Sequence, residues 1–261
     1  MEKNHKEDLF PLSSKYDPQW IKKNSLGENV LFNLESLCEV MNFSPGMRVL
    51  DLGCGKAASA IFLAKEFGVN VYAVDPKVDP GDNLKRITEM GCEHLVTPLR
   101  LNALMLPFAY EYFDAIIAVD SFMYFGTDMV YTEYITKFLK PKGQIGIVDI
   151  CVNREMECIS CIDDIPASSS GNLNFLQTLG WWYKHWYNSN LLKIAKAEIV
   201  PHNDFIKNEY IKDIEQSNKK DIIAEELKRD SQKLINVFRM VAEKYETAFH
   251  QNFNLSRNII F

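Results

Sequence analysis

The sequence predicts an α/β fold built on a mostly parallel sheet, and three observations carry that prediction. Short apolar runs alternate with amphipathic stretches from residue 47 onward, each run is rich in β-branched or aromatic residues and bounded by Gly, Pro or Asp, and helix-stopping residues stand where the stretches between them end. The first strand is expected at 47–52, and the next ones at 69–74, 94–99, 113–119 and 144–150. Helices are expected at 57–67, stopped by Gly68, at 82–90, stopped by Gly91, and at 127–140, ahead of Pro141 and Gly143. Beyond residue 150 the rhythm breaks. Residues 163–171, with Pro166 and three serines, read as a loop, after which a helix at 173–188 leads into a strand at 191–200 that Pro201 ends.

Residues 203–250 carry few turn signals, and Ile223, Leu227, Leu234, Phe238, Val241, Tyr245 and Ala248 recur at spacings of three, four and seven. That pattern predicts a long amphipathic helix, clearest over 219–249. With nine basic and ten acidic side chains over 202–250, it is no basic arm for nucleic acid or membrane. The final residues 258–261 read as a strand closing the sheet. The expected organisation is one domain over 1–261: an N-terminal helical cap at 1–42, a core at 43–200, a helical insertion at 201–252 and a last strand at 253–261.

Composition narrows the partners. The 261 residues are 47% hydrophobic, and 29 basic against 35 acidic side chains leave a net charge of −6, which supplies no field for a phosphate backbone. No apolar run approaches membrane-spanning length, and residues 1–8 carry both charge signs without a following apolar stretch, so a cytoplasmic chain with no nucleic-acid or membrane partner is expected. Six scattered cysteines (38, 54, 92, 151, 158 and 161) suit reduced thiols. Cys158 and Cys161 form a lone C-x-x-C with only Cys151 nearby, short of four zinc ligands, so no metal is expected.

The chemistry concentrates where the first strand turns into the first helix. Gly53 and Gly55 there let a ligand approach backbone closely at a helix start. Gly53-x-Gly55-x-x-Ala58 also satisfies a dinucleotide fingerprint, so the spacing alone leaves an NAD-dependent oxidoreductase open. Asp51, two residues before Gly53, would repel a pyrophosphate and suits a ligand carrying an ammonium and a sulfonium, which favours S-adenosylmethionine. Asp75, at the end of the second strand, can accept from both ribose hydroxyls of an adenosine in either cofactor.

The string Val49-Leu-Asp-Leu-Gly-Cys-Gly55, with Val71-Tyr-Ala-Val-Asp75, Leu106-Pro-Phe108, Phe113-Asp-Ala-Ile-Ile117 and Phe138-Leu-Lys-Pro-Lys-Gly143, resembles the class I S-adenosylmethionine-dependent methyltransferases, in the family's motif order. Gly180-Trp-Trp-x-x-His-Trp186 and Asp17-Pro-Gln-Trp20 make it most similar to bacterial small-molecule methyltransferases labelled cyclopropane-fatty-acyl-phospholipid-synthase-like. The resemblance implies a Rossmann-like sheet of seven strands with the last antiparallel and helices on both faces. It implies S-adenosylmethionine as cofactor, contacted by Asp51, Gly53, Cys54, Gly55, Asp75 and Pro76, with Asn102, Ala103 and Leu104 flanking adenine and Asp120 and Ser121 closing the site. Two departures stand out: Ala57 where many members have Gly, read as mild because the helix has begun there, and Asn102 where many have Asp, with its amide oxygen free to accept from adenine.

The implied reaction is in-line displacement of a methyl group onto a small-molecule acceptor, and a base is needed only if that acceptor is protonated. Asp120 and Tyr124, just after the fourth strand, and His185 are the catalytic candidates. Each has a plainer reading: Asp120 or Ser121 as a helix cap, the aromatics as core, and His185 as a histidine packed between Trp181, Trp182 and Trp186. Tyr16 and Trp20 can lid the site or anchor the N-terminal cap. A cofactor-binding module without catalysis and a homodimer are also open.

Overall fold

The computed structural model describes residues 5–26, 30–153, 176–217, 221–230 and 233–246. Cys158, Cys161, the predicted loop at 163–171, the start of the predicted helix at 173 and the predicted last strand at 253–261 lie outside them.

Helices α1 (His5–Leu9), α2 (Pro18–Asn24) and α3 (Val30–Cys38) precede the sheet, with a single 3-10 turn at Ser13–Lys15 between the first two. The alternating region then runs β1 (Arg48–Leu52), α4 (Ala58–Phe67), β2 (Asn70–Val74), α5 (Pro80–Glu89), β3 (Val96–Leu99), β4 (Phe113–Val119), a 3-10 turn (Phe122–Tyr124), α6 (Met129–Thr136) and β5 (Leu139–Val152). Then follow α7 (Leu179–Asn188), β6 (Leu192–Ile199), α8 (Asn203–Ser217), α9 (Ile222–Arg229) and β7 (Ile235–Lys244). Local chemistry explains the starts and stops. Asp17 and Asp79 cap helices that open on Pro18 and Pro80, Asp128, Thr178 and Asp221 cap α6, α7 and α9, and Gly68 ends α4 at φ +65°.

The seven strands form one sheet in the order β3-β2-β1-β4-β5-β7-β6. β1 to β5 are parallel, and β7 runs antiparallel to both β5 and β6. This is the Rossmann-like arrangement expected, with the chain's final described strand the antiparallel one. Strand order reverses between β1 and β4, so the crevice at their C-terminal ends is the switch point where ligands bind in open α/β sheets.

Two expectations are corrected. The predicted helix at 127–140 stops at Thr136, because Leu139 already pairs with Phe113 in the sheet. The predicted helix over 203–250 is two helices and a strand: the sequence from Ile235 to Lys244 inserts between β5 and β6. All but one of the β7 residues are buried, since helices cover both sheet faces there; a strand buried on both sides has no alternation, and its apolar run mimics helical spacing.

Alternate side chains of β7 show what covers each face. Phe238 stacks on Trp182 of α7 at 6.2 Å, while its neighbour Arg239 points the other way. Arg239 binds Glu198 of β6 at 2.7 Å, Glu39 at 2.6 Å and the Ser36 carbonyl, so α3 lies on the opposite face. α3 also carries the cap: Glu35 accepts the backbone N–H groups of Leu12 and Ser13 at 2.8 and 2.6 Å.

Candidate functional site

The loop after β1 is folded tightly onto the end of β2. The backbone N–H groups of Gly53 and Cys54 both donate to the Val74 carbonyl, at 2.8 and 3.1 Å, and that of Gly55 donates to Asp75 Oδ2 at 3.1 Å. Gly53 (φ +74°) and Gly55 (φ +52°) both take left-handed conformations that favour glycine. At Gly53 a second constraint applies, because a Cβ would sit 2.6 Å from Ser121 Cβ. Ser121 Oγ in turn donates to the Leu52 carbonyl at 2.7 Å, so the ends of β1 and β4 are clasped together at the switch point. Ala57 is also left-handed (φ +63°) and caps α4 from outside it, which corrects the expectation that the helix has begun there and gives a backbone reason for glycine at this position.

Asp51 is buried at the end of β1 and accepts from Ser59 Oγ of α4 at 2.6 Å. Burial pushes its carboxyl up to about 7, helped by the charge of Asp75 and opposed by the Ser59 hydrogen bond. Among the described residues no lysine or arginine pairs with it. Asp75 is half-buried and accepts from Lys77 and Val78 N–H at 2.7 and 2.8 Å as well as from Gly55. Asn83 of α5, which no sequence pattern singled out, donates to the Gly55 carbonyl at 2.9 Å. Burial also drives the Cys54 thiol well above its ordinary range, which keeps it a neutral wall of the loop.

Pro76 is exposed, and its carbonyl accepts from Arg100 at 3.3 Å. In the loop after β3, Asn102 Oδ1 accepts from Leu104 N–H at 2.9 Å, so the oxygen expected to be free for adenine already closes its own turn. Ala103 is buried, with its carbonyl accepting from Tyr131 at 3.3 Å, while Leu104 is exposed.

On the acceptor side, Asp120 has φ +50°, and both oxygens of its carboxylate accept from Asn33 Nδ2 of α3, at 2.9 and 3.1 Å. Ser121 stands at the cap of the following turn without capping it by its side chain. Asp149 anchors that turn instead, accepting from Met123 N–H at 3.0 Å. Tyr124 is 65% exposed, on the rim. His185 is drawn into the core: it is 4% exposed, stacked on Trp181 at 4.6 Å, and its Nε2 lies 3.0 Å from the Gly126 carbonyl and 3.3 Å from Thr132 Oγ1. Burial holds its pKa below the ordinary value, partly offset by the Gly126 bond. That environment is the packed histidine, not a base facing a ligand.

Asp51, Gly53, Cys54, Gly55, Asp75, Asp120 and Ser121 therefore meet at three adjoining strand ends, whereas His185 belongs to the layer beneath. Tyr16 anchors the cap, with its hydroxyl 3.1 Å from Glu66 and its ring against Trp20 and Phe62. The cap crosses the glycine loop: Lys56 Nζ holds the Lys23 carbonyl at 2.7 Å, and Leu26 Cδ1 lies 3.1 Å from where a Gly55 Cβ would be. Asn33, Asn83 and Asp149 were illegible beforehand, since nothing in one polar residue on a helix or strand says what faces it. Among the described residues no group of three or more His, Cys, Asp or Glu is placed to hold a metal ion.

Comparison with known proteins agrees with this geometry. Residues 49–143 match the family described as a methyltransferase domain. Over 110 residues the chain is 32% identical to the glycine/sarcosine/dimethylglycine N-methyltransferase of Actinopolyspora halophila, a match covering 42% of this chain and 20% of that protein. The chain spans less than half the length of the first curated relatives it matches. Its fold superimposes on the geranyl diphosphate C-methyltransferase of Streptomyces coelicolor A3(2), solved with Mg2+, geranyl diphosphate and S-adenosyl-L-homocysteine, with a TM-score of 0.66 at 15% identity over 93% of this chain and 98% of that one. It superimposes equally on the [4+2]-cyclase SpnF, with a TM-score of 0.67 at 15% identity over 93% and 95%. Residues 49–143 thus match a methyltransferase domain, and they sit in a fold similar to that of a methyltransferase solved with S-adenosyl-L-homocysteine.

Proposed function

We propose that the chain is an S-adenosylmethionine-dependent methyltransferase acting on a small-molecule acceptor. The observation that carries this reading is the pair of carboxylates at adjoining strand ends: Asp51, buried with no cationic side chain beside it among the described residues, and Asp75, bracing the glycine loop. A buried carboxylate without a cation is costly until a positively charged ligand arrives, and S-adenosylmethionine carries an ammonium and a sulfonium. The dinucleotide alternative is disfavoured, since a pyrophosphate at the glycine loop would face Asp51.

When bound, the cofactor supplies a methyl group on a sulfonium leaving group. This chain's residues supply placement. Asp51 faces the ammonium, Asp75 the ribose hydroxyls, and residues 102–104 the adenine. Asp120, held by Asn33, and Tyr124 orient the acceptor, and Asp120 is the group able to take a proton should the acceptor carry one. His185 supports the floor of the site from below.

The test is a thermal shift with S-adenosylhomocysteine at millimolar concentration, followed by labelled-methyl transfer to pooled metabolites. A shift followed by label in a small product supports the reading; no shift overturns it. A second reading is favoured by the [4+2]-cyclase SpnF, a neighbour of equal similarity whose name denotes other chemistry. Cofactor binding without label transfer across the pool supports that one.

No helix among the described residues is long and apolar enough to cross a membrane. Together with the net charge of −6, this supports a cytoplasmic enzyme without nucleic-acid partners. The homodimer is tested by sedimentation.

A further inference from the structure

The glycine loop has a shortage of donors. The cofactor's amino-acid end carries a carboxylate as well as an ammonium, and the carboxylate needs hydrogen-bond donors in a region that already holds Asp51 and Asp75. Four of the loop's own N–H groups are committed: Gly53 and Cys54 to Val74, Gly55 to Asp75, and Ala57 to the Cys54 carbonyl. The ammonium of Lys56 is drawn to the Lys23 carbonyl.

The missing donors are in the cap. Trp20 Nε1 and Ser25 Oγ are both buried with no hydrogen-bond partner among the described residues. Ser25 lies within the segment from Lys23 to Leu26 that is fastened over Gly55, and Trp20 lies three residues before it. Trp20's ring meets Tyr16 at an interplanar angle of 35°, too flat for its N–H to point at that ring's face. The other partnerless indoles, on Trp182 and Trp186, differ: their rings lie within the aromatic layer around Phe122, and that of Trp186 meets Phe122 edge to face at 81°. A buried donor left without an acceptor is costly, so two within the six residues 20–25 of a surface cap call for an acceptor. The indole N–H can only donate, so that acceptor carries lone pairs.

We propose that Trp20 and Ser25 bind the α-carboxylate of the cofactor's amino-acid moiety, making the N-terminal cap part of the cofactor site. This rests on the methyltransferase reading and specifies one end of its ligand. Division of labour follows: the strand ends, which are acidic, take the ammonium and ribose, and the cap, which carries neutral donors, takes the carboxylate. Cofactor binding and cap docking are then linked, because the strand ends hold one ligand by its ammonium and the cap holds the same ligand by its carboxylate.

Calorimetry with S-adenosylmethionine and with its decarboxylated form, which lacks only the carboxylate, tests this on the full chain. Trp20→Phe and Ser25→Ala should each weaken S-adenosylmethionine by about tenfold and leave the decarboxylated ligand within about twofold, the loss expected for one hydrogen bond to a charged group. Circular dichroism melts confirm that each variant is folded. Variants that bind both ligands as the parent does, or that lose both equally, overturn the assignment while leaving the methyltransferase reading intact. A parent chain that binds neither ligand overturns that reading and this assignment with it.

Discussion

The side-chain amide of Asn33 reaches both carboxylate oxygens of Asp120, at 2.9 and 3.1 Å, across 87 positions of sequence. α3 thus sets the acceptor-side carboxylate, and Arg239 fixes α3 to the sheet through Glu39 and Ser36. Asn33→Leu should lower stability by about 1–3 kcal/mol, the cost of removing its amide's two bonds to the carboxylate. Asn33→Asp should be worse at pH 8 than at pH 5, because two carboxylates then face each other; urea denaturation at both pH values reads the difference. Equal losses at the two pH values would show that Asp120 does not feel residue 33.

Gly53→Ala meets two obstacles, the 2.6 Å approach to Ser121 Cβ and a φ of +74°. The substitution must part the ends of β1 and β4 or break the Ser121 bond to Leu52. A loss of about 2 kcal/mol or more in stability is expected, together with loss of S-adenosylhomocysteine binding. Unchanged melting and affinity would sink the close-approach argument.

Asp51 links stability to pH. Its carboxyl rises from the ordinary 3.8 to about 7 on folding, so between those values the folded chain holds a proton that the unfolded chain has released. This contribution is complete below pH 4 and is lost as pH rises through 7. Asp51→Asn removes the dependence: the ligand-free variant should melt higher than the parent at pH 8, with little advantage near pH 4. The same change should weaken S-adenosylmethionine binding, since the buried charge meant for the ammonium is gone. A variant less stable than the parent at pH 8 contradicts the burial argument.

His185→Gln should cost about 1–3 kcal/mol through lost stacking on Trp181 and disturbed bonds to Gly126 and Thr132. Methyl transfer by the folded fraction should stay within about threefold of the parent, and its pH profile should not move. A hundredfold fall in kcat at unchanged melting temperature would instead make His185 the base.

The β1-to-β5 framework and the glycine loop were legible in the sequence alone, because the apolar runs there are bracketed by Gly, Pro or Asp, and β1, β2 and β4 each lead into a helix. That Asp51, Gly53, Gly55 and Asp75 come together was legible for the same reason: their placement follows from position relative to one local turn. Tertiary structure alone decided the rest. β7 hides in a run that scans as helical, since burial on both faces erases the alternation that marks a strand. His185 has the composition of a catalytic residue, but the aromatic layer closes over it. Asn33, Trp20 and Ser25 acquire meaning only because the cap folds back across the switch point, and no local pattern records which polar atom a distant element will face.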